Sequence, residues 1–123
     1  MSPLDKFGKF LVSSMRDRGI DHYNLLETHS LKALALRQLQ DDLSELNPKQ
    51  KDIVRRCVVR ILDTSMHDLL AAFQEAHDLD EGIDLLVDNE NIAEVSGMLH
   101  GEIFGDRGWI EKFSKYPKCN DIP

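Results

Sequence analysis

Residues Asn47 to Ala76 read NPKQKDIVRRCVVRILDTSMHDLLAAFQEA, and the organisation of the whole chain follows from how they fold. Asn47 offers a side-chain oxygen to the unpaired amides of a helix start. Pro48 carries the φ of a first helical turn, and Gln50, three residues on from Asn47, completes a capping-box pattern. Behind this start Ile53, Val54, Cys57, Val58, Ile61, Leu62, Met66, Leu69, Leu70 and Phe73 return at helical spacing, which predicts one apolar face to about Ala76. A helix over 48–76 would run roughly 40 Å at about 1.5 Å per residue. That is long for a small domain, so Asp63-Thr64-Ser65 is the place where a kink or break is expected if the helix is not continuous, and the sequence leaves both open. Cys57, in the middle of the face, is expected to be an inert core thiol.

Working outward, Ser2-Pro3-Leu4-Asp5 repeats the same start chemistry, and Leu4, Phe7, Leu11 and Met15 follow at helical spacing until Gly19 supplies a stop. Ile20 to His29 is expected to be irregular, with Tyr23, Leu25 and Leu26 turned to the core. A second helix is expected from Ser30 to about Leu46, burying Leu31, Leu34, Ala35, Leu39, Leu43 and Leu46. Short connections would pack three such helices as antiparallel neighbours. After residue 77 the period changes. Ile83–Val87 reads as a strand, Asp88–Asn91 as a turn and Ile92–Val95 as its return. Leu99–Phe104 and Trp109–Ser114 read as a second hairpin about Gly105–Gly108. The expected fold class is therefore α+β: a three-helix N-terminal bundle followed by a small antiparallel β-sheet of hairpins in the C-terminal third. Residues 1–116 would form one domain and 117–123 a loose tail.

The chain has 123 residues, 41% hydrophobic and 30% charged, with a formal net charge of −7. This is an ordinary globular mixture of one-domain size. Divided by position, residues 1–60 hold 11 Lys and Arg against 8 Asp and Glu, a net +3. Residues 61–123 hold 4 against 14, a net −10. Such a second half repels phosphate, which argues against a nucleic-acid partner and against an anionic membrane surface. Arg55, Arg56 and Arg60 are the one basic cluster, and they lack the interleaved aromatics that stack on bases. No apolar run reaches membrane-span length, and Met1 to Arg18 lacks the pattern of a secretory signal. Cys57 and Cys119 are expected as free thiols in a reducing cytoplasm, a single bridge between them being the less favoured reading.

Five histidines raise the question of a metal. No HExxH or cysteine spacing of a zinc site is present. One constellation remains: Asp63 and His67 lie one helical turn apart, Asp68 adjoins His67, and His100 with Glu102 share a strand face if 99–104 is a strand. Packed together these could hold Zn²⁺, Fe²⁺ or Mn²⁺, although an exposed ion pair is the plainer reading of Asp63 and His67. The acidic run at Asp78, Asp80, Asp84, Asp88 and Glu90 fails the EF-hand register, because glycine arrives one position early and Asn89 stands where glutamate is needed. No serine sits in a GxSxG elbow, and no Lys-Ser/Thr follows the recurring glycines of 97–108.

The run Ser96 to Pro117 is rich in glycine and aromatics, and Trp109 could either close the core or present a hot spot to a partner. Met66-His67-Asp68-Leu69-Leu70, followed by Leu99-His100-Gly101-Glu102 and Gly108-Trp109-Ile110, resembles uncharacterised small bacterial protein families over the second half of the chain, and that resemblance implies no catalytic residue. In size and acidity the chain is also similar to bacterial toxin-immunity proteins. The leading expectation is a non-enzymatic interaction protein without a cofactor. It would meet a basic protein partner through Asp84, Asp88, Glu90, Glu94 and Trp109. A divalent-metal protein or metal-dependent enzyme on His67, Asp63, Asp68, His100 and Glu102 is the alternative. A homodimer through the long helix is a third reading.

Overall fold

In the computed structural model, which describes residues 1–118 and 121–122, the chain runs through α1 (Pro3–Leu11), a π-helical turn (Val12–Asp17) and α2 (Arg18–Glu27). It continues through α3 (Arg37–Ser44), α4 (Pro48–Asp78), β1 (Leu86–Val87), β2 (Glu90–Asn91), α5 (Ile92–Ser96) and α6 (Trp109–Phe113). The structure is 68% helical with a two-stranded antiparallel sheet, an α+β mixture dominated by α4. Asn47 caps α4 as its sequence predicts: Gln50 N–H donates to Asn47 Oδ1 at 2.9 Å, and Asn47 N–H donates to Gln50 Oε1 at 2.9 Å. The helix then continues unbroken for 31 residues, about 46 Å at roughly 1.5 Å per residue. The kink left open at Asp63-Thr64-Ser65 is absent, because no proline or inserted side chain interrupts the ladder there.

Several expected boundaries are corrected. The first helix passes straight through Gly19. The apolar positions slip from Leu4, Phe7, Leu11 and Met15 to Ile20 and Tyr23, a five-residue step that no α-helical face accommodates. The π turn at Val12–Asp17 absorbs the extra residue, and Ile20 to Glu27 is helical rather than irregular. Gly19 is a contact point instead of a stop, since a Cβ there would lie 2.8 Å from a Leu62 methyl carbon on α4. The helix ends at Glu27 with Thr28 as its cap, and His29 follows with a φ of 55°. The second helix is also shorter than expected. Gln40, buried, accepts from the Leu31 N–H and donates to the Leu31 and Leu36 carbonyls, so one side chain holds 31–36 as a loop with a single 3-10 turn. Leu34, Ala35 and Leu39 consequently face solvent, and only Leu43 of that stripe is buried.

The C-terminal third departs further from expectation. Asp88 and Asn89 both take positive φ and make the tight turn between Val87 and Glu90, so the first hairpin exists but is two residues long on each side. Ile92–Ser96 is helical, because Asn91 accepts from the Glu94 N–H and caps it. The second hairpin does not form. Leu99–Glu102 is a 3-10 turn and Trp109–Phe113 a helix, which lets Leu99, Ile103, Trp109 and Ile110 all reach one core. That core joins them to Leu11, Val12, Met66, Leu70 and Ile92. A smaller cluster joins Ile20, Val59 and Ile122, so the Ile122 side chain itself is buried. Cys57 is exposed, with Ile53, Ile61 and Leu69, because α4 is covered along one side only. Cys119, and with it the considered bridge, lies outside the described residues.

Trp109 is wholly buried and sits on α1 where Gly8 leaves room: a Cβ at Gly8 would lie 2.4 Å from the indole. Phe7 meets the indole edge-to-face at 6.2 Å, and the indole Nε1–H donates to Asp5 at 3.3 Å. We predict that Gly8→Ala, despite its better helix propensity, lowers stability by about 1–3 kcal/mol through overpacking. Because Trp109 is the only tryptophan, a red shift of native-state fluorescence alongside the melting curve reports the displacement.

Candidate functional site

Two adjacent charged residues of the π turn, Arg16 and Asp17, are buried, and from them the polar interior is built. The Arg16 guanidinium donates from Nε to Asp63 of α4 at 2.6 Å. From Nη1 it donates to Ser114 Oγ at 2.8 Å and to the Tyr116 carbonyl at 2.5 Å. Asp17 accepts from Ser114 Oγ at 2.6 Å and from the Lys115 N–H at 3.0 Å. The pair therefore ties three distant parts of the chain together. Ordinary helical phase would not bury both neighbours so fully, and the wider π turn helps to turn both inward. Just outside, Asp21 accepts from Tyr116 Oη at 2.5 Å and from Lys115 Nζ at 2.7 Å. These two donors, Lys115 foremost, hold the Asp21 carboxyl below its ordinary range, and Asp21 raises Lys115 and Tyr116 in return.

The residues considered for a metal divide around this network. His67 and His100 do meet, ring to ring at 5.2 Å, and Phe104 stacks on His67 at 6.4 Å. His67 Nδ1 lies 3.1 Å from Asp68 Oδ1, and His100 Nδ1 is buried with no hydrogen-bond partner among the described residues. Of the three carboxylates, only Asp68 stands at a ring, as the exposed sequence neighbour of His67. Asp63 is taken by Arg16, and Glu102 accepts from Ser96 Oγ at 2.9 Å. Among the described residues no group of three or more His, Cys, Asp or Glu side chains stands where it could hold a metal ion. Two imidazoles alone make a poor divalent site. The shallow space beside them, about 300 Å³ between Arg60, Asp63, Thr64, His67 and Phe104, is open to solvent.

The acidic residues read as a partner surface fall elsewhere. Asp84, Asp88, Glu90 and Glu94 are exposed on or beside the short hairpin and α5. Asp84 accepts from the Asn91 amide at 3.2 Å, and Asp88 meets Lys6 of α1 at 3.0 Å, in an exposed pair of small energetic worth. Trp109 does not join them, since it is sealed in the core. The apolar component comes from residues that the sequence pattern did not mark. Phe10 is 64% exposed and Leu86 59%. With Lys6, Phe7, Leu85 and Val87 they line a groove of about 400 Å³ between α1 and β1. Phe10 flanks the apolar stripe of α1 in sequence, and that off-phase position was the available sign of it. No Lys or Arg occurs between Arg60 and Arg107, so the groove's hairpin side is contributed entirely by a cation-free stretch. No helix is long and apolar enough to cross a membrane among the described residues.

Comparison of the chain with protein-family models, with curated proteins and with solved structures gives no match.

Two outcomes test the interior network. Arg16→Ala leaves Asp63 without its cation and removes the donor to Ser114 and the Tyr116 carbonyl, and lowers stability by about 3 kcal/mol or more, measured by urea melts. Arg16→Lys does not rescue it, because an ammonium cannot serve Asp63, Ser114 and Tyr116 from a fixed fork. Asp21, whose folded carboxyl titrates low, contributes stability that is present above its ordinary value near 3.8 and lost as pH falls through the folded value. Stability of the wild type and of Asp21→Asn therefore differs at neutral pH and converges in acid. A constant difference across the range contradicts this assignment.

Proposed function

We propose that the protein is a binding module that takes a basic, amphipathic polypeptide segment along the groove between α1 and the β1–β2 hairpin. The observation that carries this reading is the pairing of exposed Phe10 and Leu86 with the exposed carboxylates of Glu90 in β2 and Glu94 in α5. Aromatic and aliphatic anchors supply most of the affinity of a protein interface. The surrounding charge of one sign selects the partner and speeds encounter. Among the described residues no cationic side chain is bonded to the exposed Glu90 and Glu94, and Lys6 is held by Asp88. A partner bearing Lys or Arg on either side of a leucine or phenylalanine meets both requirements. An inhibitor- or immunity-like role, in which an acidic protein covers a basic surface of its target, is one biological form of such binding.

The test is titration of the full chain with a fluorescent peptide carrying leucines at helical spacing among lysines and arginines. Affinity is expected to fall at least tenfold on raising the salt from low to physiological and beyond, and to fall similarly in Glu90→Lys/Glu94→Lys and in Phe10→Asp. Binding indifferent to salt and to these charge reversals would sink the proposal. Circular dichroism of the variants, all changed at exposed positions, separates lost binding from lost folding.

A further inference from the structure

The uncovered side of α4 points to a second copy of this chain. Ile53, Cys57, Ile61, Thr64, Asp68 and Ala72 are all exposed. Ile53 to Thr64 and Ile61 to Ala72 are eleven-residue steps, close enough to the helix's own period that these residues form a nearly straight stripe. Ile61 is 64% exposed and Ile53 44%, unusual for isoleucines in the middle of a helix with this much of the chain folded around it. The stripe is not uniform along its length. Its N-terminal half projects Ile53 and Ile61. Its C-terminal half flanks an apolar groove of about 430 Å³ formed by Leu69, Ala72, Phe73, Ala76 and Ile83. One half offers protrusions and the other a recess.

Charge follows the same division. Residues 48–62 of α4 carry Lys49, Lys51, Arg55, Arg56 and Arg60 against Asp52 alone, whereas 63–78 carry Asp63, Asp68, Glu75 and Asp78 with no Lys or Arg. Some of these are already used, Arg55 by Glu27 and Asp63 by Arg16. Arg60 has no carboxylate bonded to it among the described residues, and Arg56 has only the exposed Asp52 one turn away. A helix that is basic at one end and acidic at the other repels a parallel copy and attracts an antiparallel one. A two-fold axis generates that antiparallel arrangement, because it places the same patch of each subunit against itself.

We propose that the protein forms a homodimer in which two α4 helices pack antiparallel about an axis near Thr64. In that register Ile61 meets Leu69 of the second copy, Cys57 meets Ala72, and Ile53 enters the groove at Ala76. Arg60 lies over Asp68 and Arg56 over Glu75, each pair occurring twice. Thr64 and its neighbour Ser65, both small, allow close approach at the axis. The peptide groove proposed above lies between α1 and the hairpin, so the two proposals use different residues and stand or fall separately.

The register is tested by disulfide trapping in a Cys119→Ser background. Ala72→Cys, mildly oxidised, is expected to give a disulfide-linked dimer through native Cys57, lost on Cys57→Ser. Trapping of Cys57 to Cys57 in the parent background instead overturns the antiparallel arrangement. Light scattering after gel filtration is expected to give twice the chain mass at high micromolar concentration, and a monomer there overturns the dimer itself. Arg60→Glu and Asp68→Lys, both at exposed positions that do not threaten folding, are each expected to weaken dimerisation at least tenfold. The double variant restores it, because the exchanged charges again face one another. Failure of the double variant to recover overturns the assigned pairing.

Discussion

The Arg16 guanidinium is the constraint on which the rest of this structure hangs. A charge this deeply buried is tolerated where it is paired and hydrogen-bonded. Here Asp63, Ser114 and the Tyr116 carbonyl answer its Nε and Nη1 donors from two other parts of the chain. Satisfying them fixes the azimuth of α4 relative to α1 and α2 and pins the segment that follows α6. Asp17, its neighbour, holds that same segment from the other side through Ser114 and the Lys115 amide. The π turn is the local cost of burying two consecutive charged residues, and it is also what lets the apolar stripe of α1 resume in a new phase at Ile20.

With α4 so placed, one side of a 31-residue rod is covered and the other is left to solvent. The covered side buries Val59, Met66, Leu70 and Gln74. Gln74 serves there as a polar clamp, donating to the Ala93 carbonyl and accepting from the Leu99 N–H. The open side keeps Ile53, Cys57 and Ile61. The same placement gives Asp63 to Arg16, so of the carboxylates grouped with His67 in the sequence it is Asp68 that lies beside the imidazole. Network and surface are thus linked: the arginine that stabilises the interior also takes one carboxylate from the surface beside the two rings.

Much of the outline was legible along the chain. Asn47-Pro48-Lys49-Gln50 and Ser2-Pro3-Leu4-Asp5 start helices where their capping chemistry says, because an N-cap depends on residues within one turn. The Asp88-Asn89 turn was equally local. Boundaries governed by distant groups were not legible. Gly19 has the composition of a stop, but its missing side chain serves the crossing with Leu62. Leu34 and Leu39 keep helical spacing, but Gln40 captures the backbone of 31–36 before a helix can use it. Leu99–Ser114 alternates like a hairpin, but three glycines and the pull of Leu99, Ile103, Trp109 and Ile110 toward one core favour short helical turns. Of the candidate site residues, His67 and His100, whose proximity the sequence left open, lie ring to ring, with His100 on a 3-10 turn and not on a strand. The acidic surface kept its carboxylates and lost Trp109 to the core.

By itself, the sequence determined the long capped helix, the α+β composition and the division of charge into a basic first half and an acidic second. Each of these rests on side chains acting within a turn or on simple summation. The tertiary structure alone decided which apolar residues are core and which are surface, because that depends on what packs against each helix and not on helical period. It likewise decided that Asp63 answers Arg16 and not His67. A buried cation outcompetes a half-exposed imidazole for a carboxylate, and only the fold shows which of the two is buried.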